Sequence, residues 1–196
     1  MTLPDARQRL ILAMIDALQR RGLHGSGLTE LLAAAKAPKG VLYHHFPGGK
    51  TELAVAAVHA TVERLCQLLD DKLAAGADPA AALMAWIAGA QQRLANSDYE
   101  RGCPLATIAL ETTAADVAIR AALADGFVQV RVRIAAALTR VGYDATVASA
   151  LAALIVAAYE GGLLQARAAG TPEPMQMVGS ALHSLLTLHR PEGARP

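Results

Sequence analysis

Apolar residues at Leu10, Ile11, Met14, Ile15 and Leu18 fall on one face at 3.6-residue spacing, which predicts an amphipathic first helix. Thr2 and Asp5 occupy capping positions ahead of it, and Gly22 ends it. A glycine-rich connection, Leu23-His24-Gly25-Ser26-Gly27-Leu28, leads to Thr29, an N-cap residue for a short helix through Leu31, Leu32 and Ala35. Pro38 closes a tight turn, and a third short helix is predicted over 39–46, broken by Pro47-Gly48-Gly49. From Lys50 a long helical pattern runs over 50–76.

The remainder reads as a second helical unit. Asp78-Pro79 caps and opens a helix through Met84, Trp86, Ile87 and Leu94. Pro104 opens a short helix to Glu111. Thr113 is placed as the cap of a helix running to Val141, and Asp144 as the cap of a very apolar one to Ala169. A last helix starts at Thr171-Pro172-Glu173 and carries Met177, Val178, Leu182, Leu185 and Leu186. The expected division is a first helical domain over 1–49, a second over 50–190, and a frayed tail over 191–196.

Composition sharpens the fold class to all-α. The 196 residues include 44 alanines against 19 valines plus isoleucines, favouring helix over strand. The uncharged runs 145–159 and 174–189 fall short of the roughly 20 apolar residues that a membrane span requires. No basic-then-apolar leader precedes the first helix, so a cytoplasmic protein without membrane attachment is expected. Cys66 and Cys103 lie far apart with neither a disulfide framework nor zinc-ligand spacing. The net charge of +1 hides an asymmetry, since residues 1–50 carry +4. A basic first quarter on an otherwise acidic chain points to a local anionic partner.

That partner is suggested by the run Leu28-Thr29-Glu30-Leu31-Leu32-Ala33-Ala34-Ala35-Lys36-Ala37-Pro38-Lys39-Gly40-Val41-Leu42-Tyr43-His44-His45-Phe46. Two short helices joined by a tight turn form a helix-turn-helix candidate, in which the second helix enters the major groove of DNA. Leu42 and Phe46, four apart, face inward. Lys39, Gly40, Val41, Tyr43, His44 and His45 remain around the outer surface. Lys39 can donate to guanine, Val41 can meet a thymine methyl, and Gly40 permits close approach. Tyr43, His45, Lys50 and Thr29 suit phosphate, and Lys36 can reach one from the turn.

Thr29, Leu42-Tyr43-His44-His45-Phe46-Pro47 and Lys50-Thr51-Glu52-Leu53 together resemble the DNA-binding domain of the TetR family of transcriptional regulators, over about residues 7–55. Gly102-Cys103-Pro104-Leu105-Ala106, followed by Ala109-Leu110-Glu111, resembles a loop of that family's LmrA/YxaF-like branch. The resemblance implies a homodimer, a helical ligand-binding domain, and release from an inverted-repeat operator when a small molecule binds. It further implies effectors of hydrophobic or aromatic character. One departure stands out: Lys36-Ala37 replaces the usual Ala-Gly-Val turn, so a residue with a Cβ is expected to take a left-handed conformation at a cost of about 1 kcal/mol.

Cys66, Met84, Trp86, Ile87 and Cys103, with Leu105, Phe127 and Arg131, are candidates to line the effector pocket, which calls for an apolar wall with few polar anchors. Plain core packing is the competing reading of each. Cys103 also stands ahead of a helix N-terminus, the one feature here bearing on thiol reactivity. The small residues Ala148, Ala152, Ala158, Gly161 and Gly162, with the apolar last helix, suggest dimerisation through the last two helices. No enzyme and no cofactor are expected. Gly49-Lys50-Thr51 has His44 where a P-loop needs its first glycine, and Ser26 lacks nucleophile-elbow spacing. No histidine pair has the spacing of two metal ligands on one helix face. The competing function is a helical small-molecule-binding protein without specific DNA recognition.

Overall fold

The computed structural model describes residues 5–75 and 78–189. Thr2, Gly76 and the tail over 191–196 lie outside the described residues. Those described form nine α-helices and no strand: α1 (Ala6–Arg21), α2 (Leu28–Ala34), α3 (Lys39–His45), α4 (Gly49–Ala75), α5 (Pro79–Ala95), α6 (Pro104–Glu111), α7 (Val117–Arg140), α8 (Ala145–Ala169) and α9 (Glu173–Leu188).

Three aspartate caps stand where the sequence puts them. The Gln8 amide donates to Asp5 at 2.7 Å, the Ala80 amide to Asp78 at 3.2 Å, and the Thr146 and Val147 amides to Asp144 at 2.8 and 3.1 Å. Each carboxylate satisfies amides that the first helical turn leaves without a partner. Two threonines differ from expectation. Gly27 is the N-cap of α2, and Thr29 lies inside the helix. Thr113 precedes α7 by a turn, and its amide and hydroxyl donate to Asp116 at 2.7 and 2.8 Å. The Thr113 hydroxyl in turn accepts from the Ala115 amide at 3.3 Å, so its side chain closes the turn ahead of α7.

The chain divides into two compact units, Met1–Glu63 with Cys103–Gly126 and Arg64–Gly102 with Phe127–Pro196. In the first, α1 packs against α2, α3 and α6. Leu10, Met14 and Leu18 of α1 join Leu31, Leu42, Phe46 and Ile108 in its fully buried core. In the second, α5, α8 and α9 pack on one another. Leu83, Trp86, Ile155, Tyr159, Met175 and Leu186 fill its centre, and the Tyr143 hydroxyl donates to the Leu186 carbonyl at 2.6 Å. Among the described residues, α8 alone is long and apolar enough to cross a membrane by length and composition. It buries Leu151, Ile155, Tyr159 and Leu163 along one face, the pattern of a helix at the centre of a core.

Candidate nucleic-acid interface

The turn between α2 and α3 is built by a helix-ending motif. Lys36 has φ 48°, its amide donates to the Ala33 carbonyl at 3.1 Å, and the Ala37 amide reaches back to Leu32 at 3.0 Å. This crossed pair of bonds is the Schellman arrangement, with a lysine at the left-handed position that glycine usually fills. Buried Ala37 then seats the turn against the core, and Pro38, extended at ψ 154°, starts α3. Arg9 reaches across from α1, its Nε donating to the Ala35 carbonyl at 3.0 Å. A cation thus sits at the C-terminal end of α2, where the helix dipole favours one.

Within α3 the division of faces is sharp. Leu42 is 0% exposed, and Phe46, the residue that ends α3, is 2% exposed with the Arg7 guanidinium 5.4 Å over its ring. Lys39, Gly40, Tyr43 and His44 are exposed, while Val41 and His45 are half-buried. The Lys39 ammonium lies 6.0 Å from the Tyr43 ring centroid, and the His44 and His45 rings meet edge-on at 5.0 Å. A Cβ added at Gly40 would meet nothing within 4 Å. No neighbouring side chain therefore demands glycine there. Thr29 is exposed on α2, and Lys36 is exposed on the turn.

Lys50, at the start of α4, is placed differently from the other residues read as phosphate contacts. Its ammonium donates to the Leu23 and Ser26 carbonyls, both at 2.6 Å, and so closes the α1–α2 loop from within. Burial draws its pKa below the usual lysine value, and the Glu111 carboxylate works in the opposite direction. Glu111 itself, at the end of α6, accepts from the Leu23 and His24 amides. Sequence reading quoted Glu111 only as part of a motif and assigned it no role.

The residues read as pocket-lining are divided between the units. Cys103 and Leu105 belong to the first. Cys66, Met84, Trp86, Ile87, Phe127 and Arg131 belong to the second. There Trp86 stacks on Tyr159, with ring centroids 4.4 Å apart and planes inclined by 17°. Trp86 is 2% exposed, and its indole N–H has no hydrogen-bond partner among the described residues. Tyr159 was not singled out from the sequence, because nothing in the spacing of α5 and α8 along the chain announces their contact. Cys66 is buried, and burial raises its thiol pKa; the Arg133 guanidinium lowers it and the Asp70 carboxylate raises it. No cluster of metal-ligating side chains occurs among the described residues.

Comparison with known proteins bears on both units. Residues 10–57 match the model of bacterial regulatory proteins of the tetR family, and residues 79–181 match the C-terminal domain of LmrA/YxaF-like transcriptional regulators. The HTH-type transcriptional regulator LmrA of Bacillus subtilis is 28% identical over 95% of this chain and 99% of its own length. A regulatory protein TetR from Rhodobacter sphaeroides superposes with a TM-score of 0.82 at 26% identity, covering 91% of this chain and 97% of that one. The regulator CifR, solved with a 26-bp double-strand operator, shares the fold at a TM-score of 0.77 and 20% identity, covering 94% and 98% of the two chains.

Proposed function

Because the chain belongs to the TetR family of transcriptional regulators, in its LmrA/YxaF-like branch, and carries that family's DNA-binding domain, we propose that it is a cytoplasmic repressor, not an enzyme, that binds an inverted-repeat operator as a homodimer. In this reading residues 1–49 bind DNA, and residues 50–190 hold the effector and the dimer contact. The exposed face of α3 around Gly40 carries the proposal, because it combines hydrogen-bonding groups with a backbone open to close approach. Lys39, Gly40 and Val41 read base edges at the start of the recognition helix. Tyr43, His44, His45, Lys36 and Thr29 grip the flanking phosphates and edges.

Exposed apolar side chains on the last two helices support dimerisation there. Leu154 and Leu164 of α8 are 48% and 58% exposed, and Met177 of α9 is 66% exposed. Single apolar residues on a surface are ordinary, but several on two adjacent packed helices suit a helix-to-helix dimer. A dimer would set its two α3 helices against half-sites about 34–36 Å apart, or a multiple of that. The stacked Trp86–Tyr159 pair, buried in an apolar surround with an unused donor, supports a small apolar or aromatic effector in the second unit. An effector favouring the conformation with misplaced recognition helices would lower operator affinity by its differential affinity alone. Selection of duplexes from a random pool by the purified protein tests the proposal. Enrichment of an inverted repeat is expected, and absence of any enriched sequence would refute it.

A further inference from the structure

The Gly-Cys-Pro and Ala-Leu-Glu motif receives no role from DNA binding or from dimerisation. It is nonetheless closely packed at its first residue and hydrogen-bonded at its last. Gly102 lies so near Arg167 of α8 that an added Cβ would come within 2.9 Å of the guanidinium. Pro104 opens the eight-residue helix α6, and Glu111 ends it. There the carboxylate accepts from two consecutive amides, Leu23 and, at 3.2 Å, His24. On the same loop, the Lys50 ammonium takes the Leu23 and Ser26 carbonyls at 2.6 Å each. The peptide segment after α1 is thus held between an anion from α6 and a cation from α4. Gly22 adapts to this arrangement twice over. Its φ of 78° suits glycine, and a Cβ there would collide with the Glu111 carboxylate. The Ser26 hydroxyl adds a bond to the Gly22 carbonyl at 2.6 Å.

The clasped loop leads directly into α2, and through the Lys36 turn into α3. We propose, building on the DNA-binding reading above, that Glu111 is a positioning residue for operator binding. Its carboxylate fixes the exit of α1, and with it the angle at which α2 and α3 are presented, while making no contact with DNA itself. Charge-assisted bonds to backbone amides suit this task, because they are strong and fix direction.

The test compares wild type, Glu111→Ala and Glu111→Gln on the selected duplex by fluorescence anisotropy across salt concentration, with amide exchange followed at Leu23 and His24. Glu111→Ala is expected to weaken binding by about 5- to 150-fold, the range of a typical coupling between sites. The salt slope should stay that of wild type, because no phosphate contact is lost. Its Leu23 and His24 amides should exchange faster while those of α8 do not change. Glu111→Gln, whose amide oxygen can still accept from both amides, should recover most of the affinity, and it keeps the test open should the alanine variant fold poorly. Wild-type affinity in Glu111→Ala, a reduced salt slope, or no recovery in a folded Glu111→Gln would each overturn the proposal. If wild type itself selects no duplex, the DNA-binding reading fails and this one with it. If wild type binds and Glu111→Ala binds equally well, only this one fails.

Discussion

Gly40→Ala separates stability from DNA binding at one atom. Gly40 is the second residue of α3, its φ lies outside the left-handed region, and an added Cβ meets nothing within 4 Å. Alanine fits this backbone without strain and removes glycine's excess unfolded-state freedom, a gain of about 0.5–1 kcal/mol. In a protein of this size 1 kcal/mol moves the midpoint by about 2–4 °C, so Tm should rise by about 1–4 °C. In the proposed operator complex the same methyl would stand where a base edge or sugar approaches. Loss of one well-fitted contact there costs about 1–3 kcal/mol, or about 5- to 150-fold in affinity. The assay pairs thermal unfolding by circular dichroism with anisotropy titration of the selected duplex. A more stable variant that binds as tightly as wild type would show that the start of α3 does not face DNA. A lower Tm would contradict the open space around Gly40.

Further outcomes follow from other sites. Lys36→Gly relieves about 1–2 kcal/mol of left-handed strain and restores about 0.5–1 kcal/mol of glycine's entropic cost; Tm should rise slightly while the salt slope of operator binding falls by about one. An unchanged slope would remove Lys36 from the phosphate contacts. For Cys66 the folded pKa lies above the unfolded one, so its contribution to stability is complete below about pH 8.5 and is lost as pH rises through the folded value. Alkylation of native protein at neutral pH should spare Cys66, and rapid modification there would contradict its burial. Met177→Glu places a charge on the exposed apolar face of α9 and should shift the dimer to monomer in analytical ultracentrifugation without lowering helicity. A dimer of unchanged affinity would move the interface elsewhere. Trp86 is the chain's single tryptophan, so an effector bound beside the Trp86–Tyr159 stack should change intrinsic fluorescence, and binding with no such change would place the effector elsewhere.

What the sequence made legible was local. Apolar spacing and aspartate caps set α1, α5 and α8, because each rests on residues within one or two turns of one another. A left-handed residue with a Cβ in the Lys36-Ala37 turn was likewise readable, and it is Lys36 that takes this conformation. Lys50 was not. Its sequence position beside the recognition helix suggested phosphate, yet two carbonyls on the α1–α2 loop lie nearer its ammonium. Glu111 was harder still, as its partners Leu23 and His24 lie 88 and 87 positions away along the chain. Only the packing of α6 on α1 brings them together, and periodicity carries no information about which helix meets which. The Trp86–Tyr159 stack was hidden for the same reason. Thr29 shows the other limit, since Gly27, two positions earlier, is the residue that takes the N-cap of α2.

The most direct test of the whole account is a titration of the selected duplex at several salt concentrations, read for stoichiometry and affinity together. Two chains per duplex, with log affinity falling linearly as log salt rises and Gly40→Ala weakening binding at every salt, is the predicted result. One chain per duplex, or an affinity indifferent to salt and to the α3 surface, would contradict the assignment of α3 as the DNA-reading helix of a dimeric repressor.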